Sequence, residues 1–254
     1  MGVLDKILLS KRAELPLLRN RKLPAPPSSV PELSLRRNPG EPLRLLCEFK
    51  RHSPSAGALS TALSVEERTK RYQEGGAALI SVLCDGPFFH GSFDDLLAAS
   101  KAQPGPVLCK EFIIDECQLD AAQAYGASAV LLIARCLRDD ELRRFIEASQ
   151  ERHLVPLVEI FSQEEKQRAL DAGATLVGVN ARDLDTLEMN MTRAEEVLES
   201  LPPYVTACHL SGVKSPDNVA KIASGRADAA LIGEILMRQD DPSELLSQFI
   251  SRAQ

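Results

Sequence analysis

The sequence contains no CxxC pair and no closely spaced group of histidines and cysteines, which removes the usual zinc-binding patterns. Its six cysteines, Cys47, Cys84, Cys109, Cys117, Cys136 and Cys208, sit mostly inside apolar runs. They read as small reduced core residues, in keeping with a reducing cytoplasm. No uncharged apolar stretch approaches the roughly 20 residues of a membrane span, so no transmembrane helix is expected. The amino terminus, MGVLDKILLSKRAELPLL, carries Asp5 and Glu14 and lacks a small-residue cleavage site, unlike a signal peptide. Lys6 stands where a myristoylation motif wants Ser or Thr. Positive charge is also short: 30 Lys and Arg face 36 Asp and Glu, for a net charge of -6. The overall field therefore attracts neither nucleic acid nor an anionic membrane surface, and any bound anion must be held by a local cluster.

What is present is enough apolar material, 44% of 254 residues, to close one large core. Leu4, Ile7, Leu8, Leu15 and Leu18 fall mostly on one helical face, predicting a short amino-terminal helix that covers something. From Pro16 to Pro42 the chain carries seven prolines, which predicts an extended arm. Beyond it, eight apolar runs alternate with helix-periodic segments: LRLLCEFK, LISVLCD, VLCKEF, AVLLIAR, VPLVEI, LVGVN, VTACHLS and AALIGE. They begin roughly 20 to 35 residues apart, the spacing of one strand, one crossover helix and two loops. Segments such as VEERTKRYQEGG and QEEKQRALDAGA between them are strong helix formers. Eight such units, with no GxGxxG opening, favour an α/β (βα)8 or TIM barrel over an open doubly wound sheet. The expected division is a helix and Pro-rich arm over residues 1–42 and a catalytic barrel over 43–254.

Strands covered on both faces should be continuously apolar, so an ionisable residue at a strand's carboxyl end is informative. Run one ends in Glu48 and Lys50, run three in Lys110 with Phe112 beyond, run five in Glu159, and run six in Asn180 followed by Arg182. Residues two apart share a face, so Glu48 pairs with Lys50, and Lys110 with Phe112, toward one site. Rim salt bridges explain any one of these residues but not their convergence at the barrel's catalytic end. Ser211-Gly212 after run seven and Gly233-Glu234 after run eight stand where such barrels bind phosphate through backbone N–H groups. A tight turn accounts for either glycine alone.

The segments CEFKRHSPSAG, ISVLCDGPFFHGSFDDL, PVLCKEFIIDECQL, PLVEI and VGVNARDLDTLEMN, in this order, resemble the indole-3-glycerol phosphate synthase family from about Cys47 onward. The resemblance implies a carbon-carbon lyase of tryptophan biosynthesis, which closes a carboxyphenylamino-deoxyribulose 5-phosphate to an indole ring with loss of carbon dioxide and water. It implies no cofactor and no metal, because the anilino ring is itself the nucleophile. The implied partner is a small phosphorylated substrate, and the chain is expected to act as a cytoplasmic monomer or weak homodimer. By the same resemblance Lys110 is the general acid, Glu159 handles protons in the dehydration, and Lys50 is a second cation near phosphate and substrate oxygens. Glu48 and Asn180 hold the anilino and hydroxyl side. Ser53 and Arg182 suit the substrate carboxylate, Phe89 and Phe112 the aromatic ring, and Ser211, Gly212, Gly233 and Glu234 the phosphate, Glu234 through its backbone N–H.

One position departs from the family pattern. Strand seven there ends Glu-Ser-Gly, whereas here it reads His209-Leu210-Ser211-Gly212, placing Leu210 at the substrate. Either Glu48 takes over the missing carboxylate's work or His209 does, although His209's parity turns it toward the helix layer. The remaining histidines read as loop or surface residues. A degenerate barrel kept as a binding or regulatory partner is the rival from another class. A related ribulose-phosphate isomerase would want a carboxylate with a thiol, or two aspartates, as its acid-base pair, which Lys110 with Glu159 does not supply.

Overall fold

The structure, a computed structural model, describes residues 2–254. Each of the eight apolar runs forms a strand: β1 Arg44–Phe49, β2 Leu79–Leu83, β3 Val107–Lys110, β4 Ala129–Ile133, β5 Val155–Ile160, β6 Leu176–Asn180, β7 Thr206–Leu210 and β8 Ala229–Ile232. All neighbours are parallel, and β1 closes the ring by pairing with both β8 and β2. This is the expected (βα)8 barrel. The helices are α1 Val3–Arg19, α2 Val65–Glu74, α3 Gly86–Phe89, α4 Phe93–Ala102, α5 Glu116–Ala124, α6 Asp139–Glu151, α7 Gln163–Asp171, α8 Met191–Glu199, α9 Pro216–Ala223, α10 Glu234–Met237 and α11 Ser243–Arg252. Side chains that favour a helix start hold their N-termini: Ser64, Ser92, Asp115, Ser162, Asn190 and Ser215 each accept a backbone N–H of the first turn.

Strand parity sorts the residues into two cores. Leu45, Cys47, Cys109, Val158, Val177 and Ala207 point outward into the layer between sheet and helices. Leu46, Leu79, Leu108, Leu131, Leu157, Leu176, Cys208 and Leu231 point inward and fill the barrel. One pleat further along the same inward face β1 carries Glu48, β3 Lys110 and β5 Glu159, and two pleats beyond Leu176 β6 carries Asn180. The barrel is thus apolar below and polar at the carboxyl ends of its strands. His209 lies on the outward face, 1% exposed with neither ring nitrogen partnered. Burial depresses its pKa to about 4, so it is a neutral core residue.

The amino-terminal segment corrects one expectation. Helix α1 runs through Pro16 to Arg19, so the irregular arm begins only after it. A proline in the last turn costs a single hydrogen bond, and the Asn20 side-chain amide donates to the Pro16 carbonyl at 2.8 Å to close the end. The arm then descends to the amino ends of the strands. There Arg36 donates to the carbonyls of Pro203 and Tyr204, and Arg37 to those of Ala223 and Gly225. The six cysteines are free. Among the described residues no helix is long and apolar enough to cross a membrane.

Candidate active site

A cavity of about 460 Å³ opens at the carboxyl ends of the strands. Glu48, Lys50, Ser53, Phe89, Lys110, Phe112, Glu159, Asn180, Arg182, Ser211, Gly212, Gly233 and Glu234 all line it, so the residues singled out in the sequence converge with one exception. Its floor is Leu131, Ile133 and Leu231, a hydrocarbon surface left by the inward strand positions.

Glu48 is the electrostatic centre. Its carboxylate accepts from Lys50 at 2.6 Å and from Lys110 at 2.5 Å. Burial pushes the carboxyl pKa up, but the two ammonium groups overcome it and hold the group down at about 2. Desolvation likewise opposes the charge on Lys110, yet Glu48 and Glu159 raise its pKa above the ordinary lysine value. Burial raises Glu159 above the usual carboxylate range despite Lys110 and the Asn180 amide, so it holds a proton more readily than an exposed glutamate.

Asn180 is fixed on three sides. It donates to Glu159 at 2.9 Å, and its carbonyl oxygen accepts from the Ser211 hydroxyl at 2.7 Å and from the Arg182 N–H at 2.9 Å. Those two acceptances orient the amide so that its NH2 must face Glu159. Ser211 holds a φ of 71°, a left-handed conformation costly for a residue with a Cβ, of the kind that occurs where function fixes the chain. The loop carrying Arg182 is tied down by Arg135, which reaches Glu165 at 2.9 Å and Asp183 at 3.2 Å.

Gly233 is required by close approach: a Cβ there would come within 2.5 Å of the Glu48 carboxylate oxygen. Beside it, Glu234 turns its carboxylate to Arg238, which donates at 2.8 and 3.1 Å, so the acidic side chain is neutralised where an anion would sit. Lys214 and Arg238 add cationic lining that the strand-end reading missed, because both lie in loops and helix turns beyond the apolar runs. Val3 and Ile7 of α1 complete the wall; Ile7 belongs to the apolar helical face visible in the sequence, and Val3 does not. Among the described residues no group of three or more His, Cys, Asp or Glu is placed to hold a metal ion.

The exception is Leu210. It does not line the cavity but lies 1% exposed within the barrel, its terminal methyl over Gly178, where a Cβ would meet it at 2.4 Å. A branched hydrocarbon gains more by packing onto the floor than by facing polar groups. The glycine opposite makes room for it. His90 and His153 keep their loop positions, whereas His52 opens a short strand, His52–Ser53, paired with Gly57–Ala58, and stacks on His90 with ring centroids 4.5 Å apart.

The profile of the indole-3-glycerol phosphate synthase family matches residues 6–249. The chain is 38% identical to indole-3-glycerol phosphate synthase 1 of Streptomyces coelicolor, over 99% of this chain and 96% of that one. The chain belongs to the indole-3-glycerol phosphate synthase family. A second member, from an Exiguobacterium species, is 37% identical over 98% of this chain and 96% of its own. Among solved structures, a thiamine phosphate pyrophosphorylase from Pyrococcus furiosus superposes with a TM-score of 0.63 at 16% identity, covering 83% of this chain and 95% of that one. That likeness concerns the barrel fold alone. Enzymes of the synthase family bind a small phosphorylated substrate, for which this cavity has both the volume and the cationic rim.

Proposed function

We propose that Lys110 and Glu159 are the proton-handling pair of the decarboxylating ring closure that family membership assigns to this chain, the conversion of 1-(2-carboxyphenylamino)-1-deoxyribulose 5-phosphate to indole-3-glycerol phosphate. The observation that carries the reading is the placement of a charged lysine and a buried carboxyl group in one cavity, with Glu48 joining Lys110 to Lys50.

The ring carbon bearing the carboxylate attacks the ribulose ketone, and Lys110 gives its proton to the carbonyl oxygen as that bond forms. Loss of carbon dioxide returns the electron pair to the ring and restores aromaticity. The new hydroxyl then leaves as water, taking a proton supplied by Glu159, while a proton is removed from the adjoining carbon or nitrogen to complete the indole. The substrate ring supplies the electrons, so the reaction needs no cofactor. Lys50 steadies substrate and phosphate oxygens, and Glu48 and Asn180 hold the anilino and hydroxyl side. Arg182, with Ser53, receives the carboxylate until it departs, a guanidinium being suited to a forked pair of oxygens. Phe89 and Phe112, with ring centroids 6.0 Å apart, face the aryl group. Ser211, Gly212, Gly233 and Glu234 form the phosphate end, with Glu234 acting through its backbone.

In this reading residues 1–42 are the amino-terminal helix and Pro-rich arm and 43–254 the catalytic barrel, with α1 as the part that covers the cavity, where Val3 and Ile7 line the wall. Six free thiols suit a reducing compartment. Leu210 removes a carboxylate of the family pattern without leaving a cation stranded, because Glu48 already satisfies both lysines. No feature of the site favours a degenerate barrel. The deciding experiment mixes the native chain with the anilino-deoxyribulose phosphate and follows indole fluorescence. Turnover is expected, and Lys110→Ala should lower it by about a hundred- to ten-thousand-fold. Silence from the native chain at saturating substrate would sink the functional reading, and normal rates from the variant would sink the role of Lys110.

A further inference from the structure

A second buried ion cluster lies behind the aryl wall of the cavity, and of its members only Glu111 also touches the cavity lining. Lys11 of α1 is 3% exposed, and its ammonium stands 2.9 Å from Asp85 and 3.2 Å from Glu111, which are 0% and 2% exposed. Glu14, on the solvent side, completes the group at 2.8 Å. Each buried carboxylate has a second duty. The other oxygen of Asp85 accepts the backbone N–H groups of Phe88 and Phe89 at 2.8 and 3.2 Å. Glu111 accepts the N–H of Phe112 at 2.7 Å. A single ammonium therefore anchors two carboxylates, and each carboxylate holds the backbone that presents one ring of the aryl wall.

We infer that Lys11 is a positioning residue for the aryl end of the substrate, holding Phe89 and Phe112 in place through Asp85 and Glu111. The inference rests on the reading of the cavity given above. Packing α1 onto the barrel does not need this cluster, since hydrocarbons of similar volume at Lys11, Asp85 and Glu111 together would avoid the desolvation of three charged groups. An ion cluster does something a hydrocarbon does not: it fixes the direction of two carboxylates, and with them two segments that are distant from each other in sequence. The ammonium also joins α1, whose Val3 and Ile7 line the same cavity, to both rings, so cover and wall are set by one contact.

The test compares the two ends of the site in Lys11→Met and Lys11→Arg. KM and kcat are measured for the anilino-deoxyribulose phosphate, with anthranilate as a competitive probe of the aryl end and inorganic phosphate as a probe of the other. In Lys11→Met the KM and the anthranilate inhibition constant should rise about tenfold or more, a size expected when groups beside the chemistry are misplaced by a fraction of an ångström to one ångström. The phosphate inhibition constant should stay unchanged and kcat should fall less than KM rises. Lys11→Arg, which keeps the charge, should recover part of the loss. Equal weakening of both probes, a loss in kcat alone, or unchanged aryl binding would overturn the inference. If Lys11→Met does not fold, Asp85→Asn decides. It keeps an oxygen for the two amides but breaks the ion contact, and it must weaken anthranilate more than phosphate. A native chain with no turnover that binds neither probe would instead overturn the reading of the cavity itself.

Discussion

Glu48, at the end of β1, and Glu111, just beyond the end of β3, are buried glutamates on strands separated by β2, and they carry opposite electrostatic states. Glu48, inside the cavity, has two lysines to itself and is held down at about 2. Glu111 touches the same lining but is bound into the cluster behind the aryl wall. Burial raises it, Lys11 opposes this only in part, and Asp85 raises it further, to about 7. Depth of burial is the same for both, so what separates them is the number of cations per carboxylate. The catalytic end is built to keep a carboxylate charged and the Lys110 ammonium protonated. The supporting cluster is built with one positive charge too few, which leaves it poised near neutrality.

The strongest way to break the comparison is Glu48→Gln. It removes the acceptor shared by Lys50 and Lys110, and turnover should fall by about a hundredfold or more, as for loss of an organised acid-base group. The rate profile carries the sign. Without Glu48 the desolvation of Lys110 is opposed by Glu159 alone, so its ammonium is lost at lower pH, and the alkaline limb of the pH–rate curve should move toward neutrality. An unmoved limb would show that Glu48 does not control Lys110.

Leu210→Glu places a third inward carboxylate in the barrel where no cation is spare. The chain should lose on the order of 3–5 kcal/mol, the cost of an uncompensated buried charge. Chemical denaturation should show a smaller loss at pH 5 than at pH 8, because protonation relieves it, and turnover should not rise. A faster enzyme would mean that the site lacks the carboxylate and that the packing of Leu210 on Gly178 is incidental.

Glu111→Gln is the mildest change. Its folded pKa is raised above the unfolded 4.5, so its contribution is fully present below that value and is lost as pH rises through about 7. The native chain should therefore lose stability between pH 5 and pH 8 by on the order of 1–3 kcal/mol through this group. The variant's denaturation midpoint should be flatter across the same window. An identical slope in both chains would show that Glu111 is ionised throughout.

Much of the site could be read without coordinates because strand parity is a local rule. Glu48 with Lys50, and Lys110 with Phe112, share a face by their spacing, and on β1, β3, β5 and β6 the last inward position was visible as a polar residue ending an apolar run. Leu210 failed the same rule because parity gives direction but not depth. Whether an inward side chain reaches the cavity or stays on the floor depends on the residue opposite, and here that residue is Gly178. Pro16 failed as a helix stop because its cost in the last turn is small, and the Asn20 amide that closes the end belongs to its own sequence neighbourhood. The only local mark of a buried Lys11 is its place four residues after Ile7 and three after Leu8, on the same helical face.

The order of elements, the closed barrel and the polar strand ends were determined by the sequence itself, since alternation, run length and spacing act over a few residues at a time. Only the tertiary structure decided which lysine is buried and for what purpose. Lys11 meets Glu111 across a separation of 100 residues, and no local pattern reports that two carboxylates wait at the place where the first helix lands. Burying an ammonium is favourable or ruinous according to the company it finds, and that company exists only once the chain is folded.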